Sequence, residues 1–306
     1  MNGSSAAQMF APDALWQLLA GFDDESMTHL VGLLSDITIM SLLALSAYLM
    51  LLVGRISFCQ QAFFGLGAYA AGVMTVMFHA PLAAALGAGV AVGALSSWLL
   101  ALPTIHLAGL HYAMATLAFG EMSRILLGWW TWQHPSEDGP VGPAGIEGFR
   151  DIRWCLENDV TPTEYLMLTI LLLLVVLGLL MLLEHLRLGI ALRMTGQDDL
   201  LAASQGIAVA RVRQCAAALA GGLAALGGGL YAHRTTYIEP ALFDPMLGVH
   251  AVGYALLGGL GTALGPLMGV LLDLGLLDAM RFFQGWRMVV FGGPVSYTHL
   301  RAHETR

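Results

Sequence analysis

Long apolar runs, separated by short polar or glycine-rich segments, set the pattern of this chain. Only a helix satisfies its own backbone groups in lipid, and it needs about 20 predominantly apolar residues to cross. Seven stretches reach that length, near residues 30–53, 57–79, 82–102, 105–127, 164–183, 212–232 and 247–272. An eighth begins near Trp286 and breaks off. The patch from Ala14 to Ala20 is too short to span, is followed by Asp23, Asp24 and Glu25, and lacks the basic start of a signal peptide. The pattern predicts an all-α integral membrane protein, a polytopic helical bundle of about 7–8 spans. Residues 1–29 form its expected N-terminal segment and residues 30–293 its transmembrane domain.

Charge placement orients the expected bundle, because loops rich in arginine stay inside. The loop 184–213 carries Arg187, Arg193, Arg211 and Arg213 and is expected in the cytoplasm. The loop 128–163 carries Glu137, Asp138, Glu147, Asp151, Glu157 and Asp159 against Arg150 and Arg153, and is expected outside. Counting spans back puts Arg55 inside and the acidic N-terminus outside.

Within the spans, small residues recur at helical spacing: Gln61, Gly65, Ala68 and Gly72; Gly221 or Gly222, Ala225 and Gly229; Gly261, Gly265 and Gly269. Such faces let helix backbones approach closely where lipid supplies no hydrophobic drive. Plain bundle packing accounts for them. A set of broken or re-entrant helices around a central path also does, most strongly at Leu257–Pro266, where Gly258, Gly259, Gly261, Gly265 and Pro266 crowd together.

Composition supports the membrane reading. Hydrophobic residues are 57% of the 306 and charged residues 11%, against roughly 25% charged in an average soluble chain, and the mean hydropathy is +0.72. Every one of the 13 basic residues is arginine, and the net charge of −8 disfavours nucleic acid as a partner. Cys59, Cys155 and Cys215 are odd in number and scattered, so neither a disulfide framework nor a zinc site is expected. The polar ending VSYTHLRAHETR interrupts an apolar run and looks like the translation of a transposon-type sequencing adapter. Residues 294–306 are therefore expected to be a non-native tail, with the last helix or helices cut short.

Candidate chemistry is sparse. GLGAYA at Gly65 and GGLGTA at Gly258 imitate dinucleotide loops but follow no strand, and without lysine no Walker A loop can form. Asp273 with Asp278, and His106 with His111, are spaced five apart and fall off a common helix face. Neither HExxH nor GxSxG occurs. Catalysis is not expected, nor is a cofactor or metal bound by this chain. Polar residues within spans carry more promise. Tyr112, Thr116, Gly120 and Ser123 share one face of the fourth span, and Gln60 and Gln61 open the second. They either border a path for a small polar solute or lock helix to helix. Glu121 and Arg124, three apart, can pair.

The loop 184–213 is the informative soluble piece. Asp198 and Asp199 precede an alanine-rich stretch with Ala202 and Ala203 that stops at Gly206, which suits the start and the C-cap of a short helix. An exposed helix there is shaped to dock in another protein's groove, or else is a structural surface loop.

Three segments together resemble the permease subunits of bacterial branched-chain amino acid ABC importers, the LivM-like kind. They are GRISFCQQAFFGLGAYAAG from Gly54, GLHYAMATLAFGEMSR from Gly109, and the region from Arg187 to GGLGTALGP, which holds RLGIALRMTGQDD, QGIAVARVR and LYAHRTTYIEPALFDP. GPVGPAGIEG from Gly139 resembles the family's outer segment. The likeness covers about residues 35–293 and implies a bacterial inner-membrane permease working by alternating access. A periplasmic binding protein would deliver the solute, a second permease would complete the pathway, and separate ATPase subunits would bind and hydrolyse ATP. It implies that Arg193, Asp198, Asp199, Ala202, Ala203 and Gly206 belong to the loop that couples to the ATPase. This sequence departs from the family there, with Asp in place of Glu and a spacing one residue short. Permeases for urea and short amides are similar too. A stand-alone secondary carrier would require an internal repeat, which is not evident, and an intramembrane enzyme is weakened by the geometry above.

Overall fold

The computed structural model describes residues 24–136 and 139–278. The start of the expected outer N-terminal segment, the run near Trp286 and the expected tail lie outside the described residues. The helices in chain order are α1 (Asp24–Leu52), α2 (Gln60–Val76), α3 (Leu82–Thr104), α4 (Gly109–Trp129), α5 (Trp154–Glu157), α6 (Pro162–His185), α7 (Arg187–Gln197), α8 (Asp199–Ser204), α9 (Val209–Thr235), α10 (Pro245–Gly258) and α11 (Leu264–Val270). A π-helical stretch, Leu271–Asp278, continues α11. Between α4 and α5 two short strands, β1 (His134–Ser136) and β2 (Gly139–Val141), pair antiparallel with His134 opposite Val141.

Among the described residues, four helices are long and apolar enough to cross a bilayer: α1 from Thr28, α3, α6 and α9. α2 has 17 residues, a length of about 25 Å, and begins only after an irregular stretch from Gly54 to Cys59. α4 has the length but carries Glu121 and Arg124, which pair at 2.8 Å. The run 247–272 is not a single helix. α10 stops at Gly258, the chain turns through 259–263, and α11 returns antiparallel along α10. Glycine makes that return possible: a Cβ on Gly258 would meet the Gly265 carbonyl, and one on Gly269 the Tyr254 carbonyl.

α9 is the centre of the bundle and packs on α3, α2 and α1. Its glycine and alanine face lets α2 approach until a Cβ on Gly228 would fall on the Phe64 carbonyl oxygen. α1 carries the largest share of the enclosed apolar side chains, from Ile39 through Leu42, Leu43 and Leu45 to Tyr48. α6 starts firmly, with Pro162 in its first turn and a reciprocal cap between Thr161 and Glu164. It then packs on α1 and α7, leaving Met167, Leu171, Leu174 and Leu182 outward. Water would not tolerate such a face, and lipid does.

At the far end of the bundle from α7, the irregular segment after β2 folds inward. Phe149 and Ile238 exchange backbone hydrogen bonds at 2.7 and 3.0 Å, and the fully enclosed Phe149 and Ile152 rest against Gly72. The three cysteines are free. Burial pushes the thiol of Cys155, on α5, up to about 11.

Candidate functional site

The loop between α6 and α9 folds into two helices, and each sequence feature has a local job there. Asp198 caps α8: its Oδ1 accepts from the backbone N–H of Leu200 at 2.9 Å and of Leu201 at 3.0 Å. Asp199, in the first turn, pairs with Arg213 of α9 and draws α8 against the bundle. Ala202 is buried beneath α8, while Ala203 is exposed. Gly206 takes a positive φ of 82° just past the helix end, where a side chain would be strained. The outward face of α8 presents Leu200, 83% exposed, and Leu201, 56% exposed. Two leucines are thus held outward on a capped, ion-paired helix as an exposed apolar patch.

Arg193 of α7 roots the loop. Its guanidinium lies 3.1 Å from Glu184 Oε2 at the end of α6, donates to the Gly261 carbonyl at 2.9 Å, and reaches the Tyr48 hydroxyl at 3.3 Å. Tyr48 in turn donates to Glu184 Oε1 at 2.5 Å. One side chain therefore ties α7 to α1, to α6 and to the turn between α10 and α11. Of the glycine-rich set, Gly258 ends α10, Gly259 has φ of 84°, Gly261 supplies the carbonyl, and Gly265 and Pro266 lie in α11.

The second set of predicted residues sits together where α1, α2 and α4 meet. Gln60 accepts from Ser46 Oγ at 3.0 Å. Thr116 accepts from the Phe58 N–H at 3.1 Å and itself donates to the Ala113 carbonyl at 2.9 Å. Ser123 donates to the Phe119 carbonyl at 2.9 Å. The Tyr112 ring lies under the Arg55 guanidinium, 4.7 Å from it. Gln61 differs from all of these. It is fully enclosed, and neither amide atom has a hydrogen-bond partner. Gly120 of α4 and Gly248 of α10 flank its side-chain amide, and both positions would clash with it if they carried a Cβ.

Sequence reasoning used Arg55 only for orientation and passed over Tyr48 and Glu184. Arg55 donates to the carbonyls of Ile105 at 2.9 Å and of Leu107, so it closes the end of α3. The available signal was a lone charged residue at each span end: Arg55 after α1 and Glu184 in the last turn of α6.

The outward apolar faces and the long apolar helices define a multi-pass helical membrane protein. The family described as branched-chain amino acid transport system / permease component matches residues 29–297, and the chain belongs to that family. Among curated relatives, it is 26% identical over 253 residues to the high-affinity branched-chain amino acid transport system permease protein LivM of Salmonella typhimurium, and equally to that of Escherichia coli K12. Each match covers 76% of this chain and 58% of the relative. No solved structure matches.

Proposed function

We propose that this chain is a permease subunit of a bacterial inner-membrane ABC importer for branched-chain amino acids, with ATP bound and hydrolysed by separate subunits. The observation that carries the reading is the match of the permease family along residues 29–297, and the names of the LivM relatives supply the solute class. The geometry of the loop agrees with it. α8 offers Leu200 and Leu201 as a surface for an ATPase subunit in the cytoplasm, with Asp198, Asp199, Ala202, Ala203 and Gly206 shaping that surface. In this orientation the N-terminus and the loop with β1 and β2 lie outside, where a periplasmic binding protein delivers the solute. A second permease completes the pathway, and the bundle spans the bilayer in about seven to eight passes.

Motion of the loop reaches the α10–α11 turn through Arg193, because the two arrangements of a packed bundle are discrete rather than continuous. Gln61 is the residue of the buried polar set that we assign to the solute path. An enclosed amide without a partner costs about 1–3 kcal/mol, and a second packing in which it meets the solute relieves that cost.

Affinity purification from native membranes, followed by mass spectrometry, tests the assembly. Recovery of a Walker-type ATPase and a second permease is the expected result, and the chain alone, folded and stable, refutes it. Uptake of labelled leucine by the assembly, with urea as competitor, tests the solute. Competition by isoleucine but not by urea is expected, and the reverse overturns the amino acid assignment while leaving the importer intact.

A further inference from the structure

The groove between α6 and α9 has no part in the chemistry above. The Tyr165 hydroxyl donates to the Leu230 carbonyl at 2.5 Å and pins the two helices together at one end. Beyond that pin an open cavity of about 450 Å³ lies between the last turns of α6, from Val176, with the following Leu186, and Ala218–Leu226 of α9, with Val90 and Ala94 of α3 as its floor. Every lining residue is apolar.

At the Leu186 end stand two arginines. Arg187 follows Leu186 directly, and Arg211 precedes Ala218 by seven residues, about two turns on the same face of α9. Both are exposed, and neither has a hydrogen bond or ion pair with a described residue. Arg193 and Arg213 nearby are paired with Glu184 and Asp199, so the carboxylates at this end are already engaged. Two exposed, unpaired cations thus lie just beyond the Leu186 end of an apolar slot.

We propose that this groove binds an anionic glycerophospholipid, with an acyl chain between α6 and α9 and the phosphate on Arg187 and Arg211. The lining favours an acyl chain: the slot follows about 15 Å of α6 at 1.5 Å per residue, and no lining residue offers a polar partner. The charge favours an anionic head, since basic pockets at helix ends hold phosphate groups from the adjacent leaflet. The inference goes beyond the permease reading and is independent of the solute carried.

Native mass spectrometry of the purified assembly tests it, after detergent exchange and titration with phosphatidylglycerol or phosphatidylethanolamine of matched acyl chains. One phosphatidylglycerol per chain should survive activation that strips phosphatidylethanolamine. Arg187→Gln with Arg211→Gln should lower its retention roughly tenfold or more, and Gly222→Trp should abolish it with both arginines intact by filling the groove. The arginine pair is exposed, so its loss leaves the fold in place should the tryptophan variant not assemble. Equal retention of the two lipids, or unchanged retention in the arginine variant, overturns the proposal. So does a photo-crosslinker at Leu219 that captures polypeptide instead of lipid, which would make the groove an interface with the second permease.

Discussion

Gln61 concentrates the residue-scale argument. Its neighbours in the polar set all have partners: Gln60 holds Ser46, Thr116 holds the backbone on both sides, and Ser123 bonds back to its own helix. Gln61 alone of that set is enclosed and unpaired. Replacing it with leucine, of similar length and without the amide, should therefore stabilise this packing by about 1–3 kcal/mol and raise the thermal midpoint in detergent. The same change should slow solute uptake. A lower midpoint would show that the amide is held, and normal uptake would remove Gln61 from the path. In the sequence, Gln60 and Gln61 are indistinguishable as polar residues opening a span. Only the approach of Gly120 and Gly248 separates them.

At the scale of the elements, close packing sets which helices are fixed. Gly228 of α9 sits against the Phe64 carbonyl of α2, so Gly228→Val must push two backbones apart. Overpacking of this kind costs about 1–3 kcal/mol, and here it acts on backbone atoms that cannot rotate away. The thermal midpoint should fall clearly, whereas Gly87→Val, at an exposed site with open space around it, should leave it unchanged. Equal effects would mean that helix propensity, rather than contact, sets the response. Small-residue spacing pointed to Ala225 on α9, but on α2 the close approach to α9 lies at Phe64 and Gly67, while Gly65 and Gly72 of the expected face meet the side chains of Phe243 and Phe149. Nor could that spacing tell the 247–272 run from one long span, because a glycine repeat serves a straight packed helix and a hairpin equally. The antiparallel contact of Gly258 with Gly265 decides the matter.

For the whole molecule, Arg193 links α7 to the α10–α11 turn through Glu184, Tyr48 and the Gly261 carbonyl. Arg193→Gln removes the charge that holds these three together. Coupling free energies between sites are typically 1–3 kcal/mol, a factor of roughly 5–150, so uptake should fall by about tenfold while ATP hydrolysis by the assembly persists. Parallel loss of both activities would make Arg193 a folding residue, and no loss of either would sever the link. The sequence by itself determined that the chain is an apolar helical bundle and that one loop carries a short capped helix. Those features follow from local composition and spacing, since burial in lipid acts on every residue of a span and a cap acts within one turn. Tertiary structure alone decided that 247–272 doubles back, that Gln61 is stranded, and that Arg193 bridges three elements. The last two depend on atoms tens to hundreds of residues apart, the first on a backbone contact between Gly258 and Gly265 that a glycine repeat alone does not specify.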